Sequence, residues 1–118
     1  MGHSIAWEKR GTCISYSGVV TFKDFMSAVL SIHMSPDYGT FKYAIHDMSA
    51  ATALDFSQVD MSQIVAHELG ARYTNPGVMA AVVTVNPDMR KTVEIFSQLT
   101  KLHVGLFDTL EQARAWVQ

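Results

Sequence analysis

The residues best suited to chemistry lie in AIHDMSAATALDFSQVD, positions 44 to 60, where three aspartates, two serines and a threonine interrupt an apolar run. Asp47 and Ser49 stand two positions apart, as do Asp55 and Ser57, so a carboxylate is twice set beside a hydroxyl. Paired carboxylates serve acid and base catalysis, but a glycosidase-type pair needs a defined separation that the eight-residue step from Asp47 to Asp55 does not guarantee. Asp47 is expected to end a central strand, where ligands of open α/β sheets gather. An Asx turn, its carboxylate accepting from the backbone of Ser49 or Ala50, accounts for the same residue. Ser57, with Asp60 three residues on, has the pattern of a helix N-cap and its capping box, worth about 1 kcal/mol. A phosphate on Ser57 would meet the positive end of that helix, yet also Asp55 and Asp60, with no arginine adjoining in sequence.

Five histidines pose the metal question. His33, His46, His67 and His103 fall on a helix, a strand, another helix and a strand, with no i, i+4 pair on one helix face. HELGA, from His67, has Ala71 where the H-E-x-x-H motif needs its second histidine. They therefore read as unlinked histidines, and no metal is expected. His33, on the apolar face of the first helix, is a candidate pocket residue, or a satisfied core residue near a helix C-terminus. No glycine-rich phosphate loop and no G-x-S-x-G elbow occurs, and no cofactor is expected.

These side chains must be positioned by one domain spanning 1–118, because 118 residues, 48% of them hydrophobic, suit a single core. Nine basic against eleven acidic residues, without a basic run, leave no electrostatic grip for nucleic acid. The single cysteine, Cys13, reads as a small buried hydrophobe. No apolar run approaches the roughly 18 residues of a spanning helix, and the first ten residues lack the apolar core of a secretory signal. The chain is expected to be cytoplasmic and not an integral membrane protein.

IAWEKRGTCISYSGVV predicts an N-terminal hairpin broken at Arg10–Gly11. Thr21 and Asp24 open a first helix, in which Phe22, Phe25, Met26, Val29 and Ile32 recur at helical spacing. FKYAIHDM suits a central strand covered on both sides, and a second helix follows on Met61, Ile64, Val65 and Leu69. VMAAVVTV predicts another buried strand, Asn86–Pro87 opens a third helix to about Lys101, HVGLF is a last strand, and Thr109 with Gln112 caps a final helix over 110–117. The order is ββαβαβαβα, a mixed, mostly parallel sheet of about five strands flanked by four helices. In the third helix Met89, Val93, Ile95, Phe96, Leu99 and Leu102 spread over roughly 180°, wider than the ~100° stripe one packed face needs. Either the last strand and the final helix pack it on two sides, or a second copy, a partner or an apolar ligand covers the excess.

Asp47-Met48-Ser49 and Asp55-Phe56-Ser57, with the ending FDTLEQARAWV, resemble the STAS (SpoIIAA-like) domain family in its single-domain bacterial members. That resemblance implies a SpoIIAA-like fold and a non-enzymatic regulatory or protein-binding module, with Ser57 at the phosphate-accepting position. Those members carry Asp-Ser-Ser-Gly where this chain has Asp55-Phe56-Ser57-Gln58, so the adjacent serine and the glycine are missing. On this reading Asp47, Ser49, Asp55 and Ser57 face a protein partner. The alternative is a carrier or sensor of a small apolar or lipid-like ligand, as in the related Sec14 fold, with Phe25, Val29, His33, Met89, Val93 and Phe96 as pocket or interface residues. An enzyme comes third and would need a cleft that perturbs Asp47 or His33 beside a second polar group.

Overall fold

The computed structural model describes residues 2–118. The hairpin pairs β1 (His3–Trp7) antiparallel with β2 (Gly11–Thr21). Then follow α1 (Phe22–His33), β3 (Tyr43–Asp55), α2 (Gln58–Ala71), β4 (Met79–Val83), α3 (Pro87–Thr100), β5 (Val104–Phe107) and α4 (Leu110–Val117). The strands lie in the order β1-β2-β3-β4-β5, parallel from β2 onward. The element order and sheet type expected from sequence are those observed.

Sequential strand order has a direct consequence. Right-handed crossovers that each step to the next strand in the same direction place their helices on one face of the sheet. Thus α1, α2 and α3 share a face, while α4 follows the last strand and folds onto the other. Side-chain alternation divides the core accordingly. Ile14, Tyr16, Met48 and Val82 belong to the three-helix side, with Ile32 and Met89. Cys13, Ile45, Ala81 and Val83 pack with Ala113 and Val117 of α4. Cys13 is buried there, and desolvation raises its thiol pKa.

The caps formed as their local sequences dictate. Ser57 with Asp60 and Thr109 with Gln112 close complete capping boxes, and the Asn86 side chain accepts from the backbone of Asp88 and Met89. Thr21 caps α1, but the Asp24 carboxylate leaves the box for His3 Nδ1 at 2.7 Å.

The acidic stretch is strand where a turn was expected. β3 continues past Asp47 to Asp55 because β2 is long enough to pair with it throughout, from Gly11↔Tyr43 to Thr21↔Asp55. Ser, Ala and Asp are poor strand formers alone, but ladder pairing outweighs that preference. The mismatch is absorbed where the register shifts, between Ser15 and Ser17 and again at Gly18, which takes φ +66°. β4 ends at Val83, opposite Asp47, so the remainder of the β2–β3 ribbon runs on beyond the sheet.

Candidate functional site

The two halves of the acidic segment are not brought together. Asp47 is the fifth residue of β3, and its alternation with Ile45 turns it toward the α4 face, whereas Ser57 heads α2 on the other. Along the ribbon, eight residues at about 3.3 Å each put on the order of 20 Å between Asp47 and Asp55 even with the bulges. Asp47, Ser49 and Ser57 are each engaged locally. Asp47 Oδ1 accepts from the Ser49 backbone at 3.0 Å and from its hydroxyl at 2.7 Å, which is the Asx arrangement. Ser57 Oγ accepts from Asp60 N at 3.0 Å, and Ser57 N donates to Asp60 Oδ2 at 2.9 Å. Asp47 and Ser57, expected to face one partner together, lie apart because β3 does not stop at Asp47.

The apolar candidates converge instead. Phe25, Met89, Val93 and Phe96 line one cavity of about 90 Å³ beneath the three helices, together with Leu54, Phe56, Met61 and Val104. Val29 and His33 line a second recess of about 30 Å³. His46, Glu68 and Ala80 belong to the walls of both, so the recess adjoins the main chamber. The small Ala80 on β4 leaves room that a larger residue would fill. At about 90 Å³ the chamber is smaller than the ~150 Å³ apolar cavity that binds benzene, so it admits on the order of four heavy atoms. Most of its apolar wall, including Phe25, Leu54, Phe56, Met61, Val93 and Phe96, is only half-buried although it faces inward, because it borders space instead of packed atoms. An aromatic cluster forms one side. Phe25 lies 5.4 Å from Phe56 and stacks on His46 at 5.6 Å, and His46 stacks on Tyr16 at 6.0 Å.

His46 and Glu68 are the polar groups the sequence reading left out. The Tyr16 hydroxyl and His46 Nδ1 are 3.0 Å apart. Burial drives the Tyr16 phenol well above its ordinary pKa, so it keeps its proton. Desolvation lowers His46 to about 4, with His33 adding to the shift. Glu68 accepts no hydrogen bond among the described residues, and His33 Nε2 stands 3.7 Å from its Oε1. Burial raises its carboxyl to about 7 despite the opposing pull of Arg72. The Glu68 side chain still retains 20% of its accessible surface and lines the cavity. His33 falls to about 4 through desolvation first, then repulsion by His67 and Arg72.

Two sequence expectations need correcting here. The histidines are not all unlinked, because α1 and α2 stack His33 on His67 with ring centroids 4.8 Å apart. No group of three His, Cys, Asp or Glu side chains among the described residues is arranged to hold a metal ion. The second helix also turns differently from its expected face: Leu69 is 41% exposed, and Glu68 lines the chamber with Met61 and Ile64. The signal was present as Met61, Ile64 and Glu68 at i, i+3 and i+7, a stripe completed by an acid. For His46 it was the alternation Ala44, His46, Met48 along one strand face. The surplus on α3 is divided: Val93 and Phe96 meet the cavity, while Ile95 and Leu99 are exposed at 44% and 60%. α4 lies across the sheet and does not cover them.

Sheet order, helix placement and core together define an α/β protein of the SpoIIAA-like fold. Solved structures share it, these three among them. The anti-sigma factor antagonist SpoIIAA in its unphosphorylated form is similar with a TM-score of 0.65 and 12% identity, over 96% of this chain and 94% of that one. An uncharacterized protein from the DUF3478 family of Shewanella loihica PV-4, with a SpoIIAA-like fold, is similar at 0.65 and 15% identity, over 99% and 94%. The phosphorylated form of the Bacillus cell fate determinant SpoIIAA is similar at 0.61 and 15%, over 98% and 99%. No family model and no curated protein matches the chain. No helix among the described residues is long and apolar enough to cross a membrane.

Proposed function

We propose that the chain is a non-enzymatic binding module, a carrier or sensor, for a small and largely apolar ligand held under α1, α2 and α3. The observation that carries this reading is the wall of half-buried apolar side chains turned inward on a 90 Å³ space, with only His46, Glu68 and Thr92 as polar members. Ligand sites have this make-up: apolar walls, a few convergent polar groups and perturbed pKa values. Native mass spectrometry of freshly purified protein, set beside its denatured mass, is expected to show a stoichiometric adduct. With 1-hexanol as probe, NMR shifts are expected at Phe25, Val93 and Phe96, and Val93→Phe, which fills the chamber, is expected to abolish them. No adduct together with no 1-hexanol shifts would exclude the reading.

A regulatory, protein-binding role centred on Ser57 is the second reading. Its support is that Ser57 is exposed at the positive end of α2, where added phosphate is electrostatically welcome. Asp47 and Ser49, placed apart from Asp55 and Ser57, would then serve a partner or a second copy of the chain as separate contacts. Under this reading Ser57→Asp alters association with that partner and Ser57→Ala does not. A change in stability alone would mark Ser57 as a cap.

A further inference from the structure

A carboxyl group buried without a hydrogen-bond donor or a cation must keep its proton or recruit a positive charge. Glu68 approaches that position: it lines the cavity, accepts no hydrogen bond among the described residues, and feels the charge of Arg72 against the effect of its burial. No lysine or arginine lines the main chamber. Arg72, in the adjoining recess, gives its Nη1 to the Val78 carbonyl at 2.7 Å. The groups around Glu68 are His33 of α1, Tyr38 of the segment after it, His46 of β3 and Arg72 at the C-cap of α2, while His67 of α2 stacks on His33. α3 and β4 contribute only Thr92 and apolar side chains to the chamber. The histidines at 33 and 46 are neutral at pH 7 and bring the carboxylate no charge.

The chamber opposite this acid is rich in aromatic faces: Phe25, Phe56 and Phe96 all line it. Aromatic faces attract cations, and the attraction strengthens as water is excluded. An alcohol would meet the same apolar wall and give the acid one hydrogen bond but no positive charge, and a carboxylate ligand would set two like charges together.

We propose that the cavity selects a primary amine carried on a short apolar chain or ring, its ammonium seated against the Glu68 carboxylate beside the Phe25–Phe56 wall. The inference rests on the apolar-ligand reading and gives its ligand a chemical class. Of a six-carbon amine, the space admits the ammonium and the first few carbons. Amine binding requires ionised Glu68, so affinity rises with pH until the carboxyl is fully deprotonated and then levels off while the amine, with a pKa near ~10, stays charged.

The test compares hexylamine, 1-hexanol and hexanoate by calorimetric or NMR titration. At pH 8, hexylamine is expected to bind at least about 10-fold more tightly than 1-hexanol, and hexanoate most weakly of the three. From pH 8 to 5.5, hexylamine affinity is expected to drop on the order of 30-fold, following the ionised fraction of a carboxyl with a pKa of about 7, while 1-hexanol stays level. Glu68→Gln is expected to bring hexylamine within about twofold of 1-hexanol; the pH series on the unaltered protein provides the same test should that variant not fold. Binding of 1-hexanol as tight as that of hexylamine, or a flat pH series for the amine, overturns the amine assignment and leaves the apolar-ligand reading standing. If none of the three binds, the amine assignment falls, and if the native mass also shows no adduct the apolar-ligand reading falls with it.

Discussion

Glu8 and Glu68 are both partly buried carboxylates, on opposite sides of the sheet, and they are treated in opposite ways. Glu8, just after β1, receives Arg114 of α4 through two hydrogen bonds of 3.0 and 2.7 Å, and the Tyr43 hydroxyl as well. Arg114 bonding lowers its pKa more than burial raises it. Glu68 has no such donor, and burial raises its carboxyl to about 7. A satisfied ion pair that ties the N-terminal hairpin to the last helix is architecture. An acid kept in a cavity without a partner lowers stability, and such groups concentrate where ligands bind.

The contrast has a thermodynamic signature, which Glu68→Gln should reveal with the largest effect. The folded-state pKa of Glu68 is raised from 4.5 to about 7, so the folded chain binds more protons than the unfolded one between those values, and stability falls as pH rises through that window. At ~1.4 kcal/mol per unit, the full shift amounts to about 3 kcal/mol. His33 and His46 act in the other direction, since their folded values near 4 lie below the ordinary 6.5 and stability rises with pH between the two. Both chains share these histidines, so their slopes cancel in the difference. Urea unfolding at pH 4.5 and 7.5 is therefore expected to show the Gln variant gaining on the parent by about 3 kcal/mol across the interval. Parallel curves would mean that Glu68 is compensated after all.

Arg114→Met tests the other half, with a smaller effect and the opposite sign. Loss of the bidentate partner should destabilise by between about 1 and 2 kcal/mol at pH 7, held to that range by exposure of the Arg114 side chain at 40%. The depressed folded-state pKa of Glu8 contributes stability above its unfolded 4.5, and that contribution is lost as pH falls through the folded value. The deficit of the variant should accordingly shrink on acidification and in high salt. A deficit unchanged under both conditions would assign the effect to lost packing of the arginine stem.

What could be read from sequence divides along the same physical line. Ser57–Asp60, Asn86–Pro87 and Thr109–Gln112 were legible because a cap is made by residues within a few positions of each other. The hairpin, the helices and their order followed from local periodicity in the same way. The passage of β3 through Met48–Asp55 was not legible, since its partner residues lie some thirty positions earlier in β2. Of the site, the apolar members Phe25, Met89, Val93 and Phe96 could be named from their helical faces. His46 and Glu68 could not, because a polar residue among apolar ones announces a cavity only when the opposite wall is known. The stacking of His33 on His67 depends likewise on how α1 and α2 are laid side by side.

The smallest effect sharpens the contrast by separating the seating of α2 from the chemistry of Glu68. Ser57→Ala removes the oxygen that accepts from Asp60 N and leaves one first-turn donor of α2 without its cap, at a cost of about 1 kcal/mol. Aspartate is as good an N-cap as serine, so Ser57→Asp is expected to keep most of that stability, less a few tenths for repulsion with Asp55 and Asp60. Because the cap lies three helical turns from Glu68, neither variant should alter the pH slope attributed to that carboxyl. A Ser57→Ala chain that lost the slope would show that α2 holds its acid in place only while its first turn is closed, and the unpaired state of Glu68 would then depend on the helix start as well as on the cavity.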